Sequence, residues 1–121
     1  MTRPADEDVT LGRGLQPGDH HYRAFVDFPD MYDIGAAMQF NLITALGLRE
    51  DHFLLDIGCG SLRAGRLFIV YLHPGRYFGL EPERWLIDEG VRQELGQVQV
   101  VFRELGAQDD AAHPQPGLLS H

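Results

Sequence analysis

Two acids and two glycines carry the candidate chemistry of this 121-residue chain. Asp56, Gly58 and Gly60 stand in the run Phe53-Leu54-Leu55-Asp56-Ile57-Gly58-Cys59-Gly60-Ser61, and Glu81 closes the run Tyr77-Phe78-Gly79-Leu80-Glu81-Pro82. Each run is apolar up to its acid, so each predicts a buried strand that presents a carboxylate at its C-terminal end. The glycines after Asp56 predict a tight turn with close approach of backbone to a ligand. A dinucleotide loop, Gly-x-Gly-x-x-Gly, would seat a pyrophosphate on the next helix N-terminus. Here the third glycine position holds Arg63, and Asp56 puts negative charge beside the loop. That combination suits a ligand with an ammonium group and no phosphate. Glu81 follows Asp56 by about 25 residues, near the roughly 20-residue spacing of an acid that accepts from both hydroxyls of a ribose. Without a ligand, the same residues describe an ordinary strand-to-helix turn and an acid that complements a helix dipole.

The elements that must position these residues follow from periodicity. Ala64, Leu67, Phe68 and Tyr71 fall at helical spacing after the loop, and His73-Pro74-Gly75 ends that helix. Pro82 opens another helix through Leu86, Ile87, Val91 and Leu95, with Gly96 as its stop. Gln97 to Phe102 reads as a third short strand. Upstream, a helix from about Met31 to Leu46 carries an apolar stripe of Met38, Leu42, Ala45 and Leu46, with Asp30 and Asp33 as N-terminal caps and Gly47 as C-cap. Strand, glycine turn, helix and second strand together make a nucleotide-binding unit of the Rossmann kind.

The motif Asp56-x-Gly58-x-Gly60 resembles the first motif of class I S-adenosylmethionine-dependent methyltransferases. The resemblance covers about fifty residues, His52 to Phe102. It implies an α/β, three-layer, Rossmann-like fold present in part, with a short parallel sheet and an N-terminal helix. It also implies that the loop Gly58-Cys59-Gly60 lies under the methionine part of S-adenosyl-L-methionine and that Asp56 serves its amino group. Glu81 would bind the cofactor ribose, and Pro82 would lie against adenine. The family often has a third glycine where this chain has Leu62. A helix before the first strand often covers the cofactor pocket, which makes Tyr32, Gln39 and Asn41 the polar candidates. Trp85 could stack on adenine, although core packing is the commoner fate of a lone tryptophan. Methyl transfer in line from a sulfonium relies on positioning more than on a protein base, so no catalytic residue is named and the methyl acceptor is unread.

Cys59, the single cysteine, excludes an internal disulfide and points to a reducing, cytoplasmic setting. Its place near a helix start raises a thiolate reading; the small-residue requirement of the loop favours packing. The histidines show no ligand spacing, so no metal is expected. The net charge of -8 leaves no basic stripe for nucleic acid, and no apolar run reaches the roughly 18 residues of a membrane span.

Three regions are expected: a flexible arm at 1–18, a partial cofactor-binding domain at 19–104, and a loop or disordered tail at 105–121. The family's sheet has more strands than these, so the first strand should have an open edge and the sheet an uncovered face. The expected protein is therefore a truncated, frameshifted or split methyltransferase, incompetent alone, that pairs with itself or with a complementing chain. Two alternatives stay open: an inactive cofactor-binding module that works in a complex, and a nicotinamide or flavin enzyme with an irregular fingerprint.

Overall fold

The computed structural model describes residues 10–96, 101–104 and 117–120, the last two stretches as backbone. After a 3-10 turn at Pro29–Met31 come α1 (Tyr32–Ala45), β1 (Leu54–Ile57), α2 (Gly65–Tyr71), β2 (Tyr77–Glu81) and α3 (Arg84–Gly90). A π-helical stretch, Val91–Leu95, prolongs α3 to Gly96, and β3 (Val101–Glu104) and β4 (Gly117–Ser120) follow. The sheet order is β1-β2-β4-β3. β1 and β2 are parallel, joined through α2, and β4 runs antiparallel to both β2 and β3. The chain is thus a mixed α/β structure with one parallel pair.

That topology corrects two expectations. The third strand does not extend a parallel sheet: the place beside β2 is taken by β4, and β3 reaches the sheet only through β4. The tail is not wholly loop, because Gly117–Ser120 is a strand; its Leu118-Leu119 pair suits one, and the prolines before it masked the signal. Residues 1–9, 97–100, 105–116 and 121 lie outside the described residues, along with the arm, strand and tail assignments that fall on them.

The helices gather on one face of the β1–β2 pair. Tyr77, at the start of β2, packs in one cluster with Phe68 and Ile69 of α2 and Ile87 of α3. On the register Leu54 faces Tyr77 and Asp56 faces Gly79, so these share the helix-covered face, whereas Leu55–Phe78 and Ile57–Leu80 share the other. Leu55 and Ile57 are exposed. Among the described residues there are two layers, not three.

α1 also turns differently from its predicted stripe. Tyr32 and Ala36 are buried, Phe40 and Ile43 pack against the core, and Met38, Leu42 and Leu46 are exposed. The helix is apolar nearly all round, so spacing alone did not choose its inner side; the aromatic contacts of Phe40 with Phe68 and Tyr71, both at 5.4 Å, do. Neither Asp30 nor Asp33 caps α1 through its side chain. Asp33 instead pairs with Arg66 and Arg23. Pro82 precedes the N-cap Glu83 and so stands outside the first turn of α3.

A buried charge network locks residues 22 and 23 to α1, α2 and the end of α3. Glu94 Oε1 accepts from the Tyr22 hydroxyl at 2.7 Å and from Arg23 Nε at 2.9 Å, with Arg23 Nη2 also bonded to it. Its Oε2 accepts from Arg66 Nη1 at 3.2 Å. The Arg23 guanidinium lies 4.4 Å from the centre of the Tyr32 ring. Asp33 is held below the usual carboxylate range, first by its hydrogen bond from Arg66.

Gly90 shows how tightly α3 meets the glycine loop. A Cβ there would stand 2.1 Å from the Ser61 carbonyl oxygen. Alanine would gain about 1 kcal/mol of helix propensity, but the backbone clash outweighs it. Gly90→Ala is expected to lower stability by about 1–3 kcal/mol in urea unfolding. Glu94→Ala, which leaves the buried Arg23 with only the exposed Asp33 as a counter-charge at 3.4 Å, is expected to cost up to about 3–5 kcal/mol. A Glu94→Ala protein with an unchanged urea midpoint would show that the network is incidental.

Candidate functional site

The loop after β1 is built on left-handed backbone. Gly58 has φ +76° and Gly60 φ +57°, a region that β-carbons disfavour. Leu62, where the resembled family often carries glycine, is also left-handed at φ +67°. Its side chain is fully buried in the core cluster. Backbone strain of about 1–2 kcal/mol is thereby offset by burial worth about 1.5–3 kcal/mol, which accounts for a leucine in a glycine's conformation.

The loop amides point inward. Gly58 N–H and Cys59 N–H both donate to the Leu80 carbonyl, at 2.7 and 3.1 Å. Gly60 N–H donates to Glu81 Oε1 at 3.0 Å, and Glu83 N–H donates to Glu81 Oε2 at 3.0 Å. Three successive N–H groups that could have formed an anion nest are therefore bonded within the protein. Tyr32 fixes the far end of the loop: its hydroxyl donates to the Ser61 carbonyl at 3.1 Å and lies 3.0 Å from Ser61 Oγ.

Asp56 is the acid that faces the open side, with Arg63 also in the lining. It lines a crevice of about 90 Å³ with Gln39, Gly58, Cys59, Gly60 and Arg63. A groove of about 350 Å³ between α1 and β1 adjoins it and shares Gln39, Asp56 and Ala64. The crevice has room for about three waters, or an ammonium head group with a short chain. Burial pushes the Asp56 carboxyl up from its ordinary value, the Glu81 charge adds to this, and a hydrogen bond from the Tyr77 hydroxyl at 2.9 Å pulls the other way. A cation in the crevice would relieve that penalty.

The structure thus brings Asp56, Gly58, Cys59 and Gly60 together. Glu81 sits beneath the loop, 8% exposed, and Pro82 is exposed and outside the crevice lining. Cys59 is not at a helix start, since α2 begins at Gly65. Its thiol is buried against Gly79 and pushed up to about 12, mainly by burial, which suits packing and not nucleophilic attack. Of the polar candidates on α1, Gln39 lines the crevice, Tyr32 braces the loop, and Asn41 is exposed. Trp85 stacks on His20, with ring centres 4.2 Å apart, so one of its faces is already covered. Among the described residues no three His, Cys, Asp or Glu side chains gather as a metal ion would require, and no helix is long and apolar enough to cross a membrane.

Tyr77 was not anticipated as part of the site. The signal was in the pleat: Tyr77, Gly79 and Glu81 alternate onto one face, and Gly79, opposite Asp56, leaves the space through which the tyrosine reaches it. Comparisons with protein-family models, curated proteins and solved structures found no match.

Because the fold favours neutral Asp56, this group's contribution to stability is full below the unfolded carboxylate value and is lost as pH rises through its raised folded value. Asp56→Asn keeps an acceptor for Tyr77 and removes the buried charge. The variant is expected to be more stable than the parent at pH 7, with the difference shrinking toward pH 4, as read by urea midpoints. A less stable variant at pH 7 would make Asp56 a purely structural acceptor.

Proposed function

We propose that the loop after β1 is an S-adenosyl-L-methionine site, and that the chain is an S-adenosylmethionine-dependent methyltransferase or the cofactor-binding part of one. The observation that carries this reading is the polarity of the loop. Its amides are turned inward onto Leu80 and Glu81, while Asp56 faces the crevice. A phosphate would find the loop amides already bonded, the Arg63 guanidinium paired with Asp27 at 3.4 Å, and a carboxylate to repel it. An ammonium group would find an acceptor whose charge is costly without a partner. The parallel β1–β2 pair with an acid at the end of each strand supports a Rossmann-like unit, with Glu81 as the ribose acid. Each oxygen of Glu81 accepts one backbone N–H, and a carboxylate keeps further lone pairs for hydroxyls. In this reading Gly58, Cys59 and Gly60 contribute backbone and Pro82 borders the adenine.

Transfer of a methyl group from a sulfonium asks the protein to hold donor and acceptor in line and to exclude water. The residues here supply the donor side: Asp56 and Gln39 at the amino-acid end, Glu81 at the ribose. The alternative of a binding module without turnover uses the same site. It would show the same affinity and no methyl transfer.

Isothermal titration with S-adenosylhomocysteine and NAD tests the reading. S-adenosylhomocysteine is expected to bind and NAD not to. Glu81→Gln, which keeps one acceptor for the Gly60 amide, is expected to weaken S-adenosylhomocysteine by about 1.5–3 kcal/mol. Binding of NAD with no response to S-adenosylhomocysteine would overturn the proposal. Unchanged affinity in a folded Glu81→Gln protein would remove Glu81 from the site and leave it as a brace for the loop.

A further inference from the structure

We infer that the face of the β1–β2 pair left uncovered among the described residues is a self-association surface, on which a second copy of the chain packs sheet to sheet. Leu55 and Ile57 of β1 stand on this face, 56% and 74% exposed, with Phe78 and Leu80 beside them on β2. Phe53 extends the patch, its ring 6.4 Å from that of Phe78. Around the edge of β1 the exposed side chains Met38, Leu42 and Leu46 of α1 continue it.

Area argues for a partner of protein size. From their fractional exposures, Phe53, Leu55 and Ile57 leave on the order of 400 Å² of apolar side chain in water on the face itself, and Met38, Leu42 and Leu46 about as much again around the edge; together they reach what one partner contributes to a standard stable interface. Soluble monomers rarely leave patches beyond about 300–600 Å². None of these six side chains is charged; the Arg76 guanidinium, 4.2 Å from the centre of the Phe53 ring, marks the polar rim of the patch. The overall charge of -8 acts only through longer-range repulsion that salt screens.

The geometry favours face-to-face packing over pairing of two β1 edges. Leu54 and Gly58 donate their N–H groups toward β2, so alternation turns those of Leu55 and Ile57 to the open edge. But α1 flanks that edge, with Leu42 and Ile43 facing Leu54 and Ile57 across the groove. A second β1 would arrive about 4.8 Å away, and the helices packed on it need about 8–10 Å of their own. Among the described residues the flat face has no such obstruction, and stacked sheets pack about 10 Å apart.

Sedimentation velocity on the full chain from about 1 to about 100 μM tests this. The expected result is a monomer–dimer equilibrium that tightens as salt rises from about 0.05 to about 0.5 M, as self-repulsion is screened. Leu55→Lys and Ile57→Lys are each expected to weaken it about tenfold or more. Val70→Lys, at an 81% exposed position on the outer side of α2, is expected to leave it unchanged. As a measurement independent of variants, the side-chain methyl signals of Leu55 and Ile57 should shift and lose contact with a soluble paramagnetic probe as protein concentration rises, while their edge-facing amides gain no protection from exchange. A monomer throughout the range overturns the inference, as does concentration-dependent protection of the Leu55 and Ile57 amides, which would assign the contact to the β1 edge. Association that weakens with salt, or that Val70→Lys disrupts equally, places the contact elsewhere and overturns it as well.

Discussion

A single carboxylate, Glu94, sets the shape of everything around the glycine loop. It receives hydrogen bonds from Tyr22, Arg23 and Arg66, so one acid joins the segment before α1 to α2 and to the end of α3. The guanidinium of Arg23 then lies over the Tyr32 ring, and the hydroxyl of the same tyrosine bonds to Ser61. Placing Glu94 fixes α3 closely enough that only glycine fits at position 90, against the Ser61 carbonyl. Two arginines around Glu94 in a nearly dry space, with Asp33 at its exposed edge, are weak as a net source of stability. Their value lies in direction, since any rearrangement strands a charge.

Within that frame the loop has been made inward-looking. Its successive N–H groups serve the neighbouring strand and Glu81, and its outward character comes from a side-chain carboxylate. The same strand–glycine–helix succession can hold phosphates when the amides face out. Here the electrostatic sign is reversed by two local facts, the aspartate at the end of β1 and the glutamate that occupies the Gly60 amide.

Much of this was legible in the chain. The two acids sit at strand ends because each follows an apolar run, and the helix boundaries at Gly47, Pro74-Gly75 and Gly96 follow from residues that stop helices. What spacing could not supply was long-range. The inner side of α1 depends on which of several apolar stripes meets Phe68, and the fourth strand depends on Leu118-Leu119 finding β2 from the far end of the chain. The Tyr77–Asp56 hydrogen bond required the register of β1 against β2, which no window of sequence contains. Asp33 looked like a cap because acids near helix starts commonly are; two arginines distant in sequence claimed it instead.

The thiol of Cys59 has a practical meaning that its packing role conceals. At 6% exposure and with its ionisation pushed up to about 12, it offers almost no thiolate while the loop is closed. Disulfide reagents in solution can therefore reach it only through transient excursions that lift the loop from Gly79. With no other sulfhydryl in the chain, its labelling rate is a clock for the breathing of this one turn, a motion no global unfolding curve resolves.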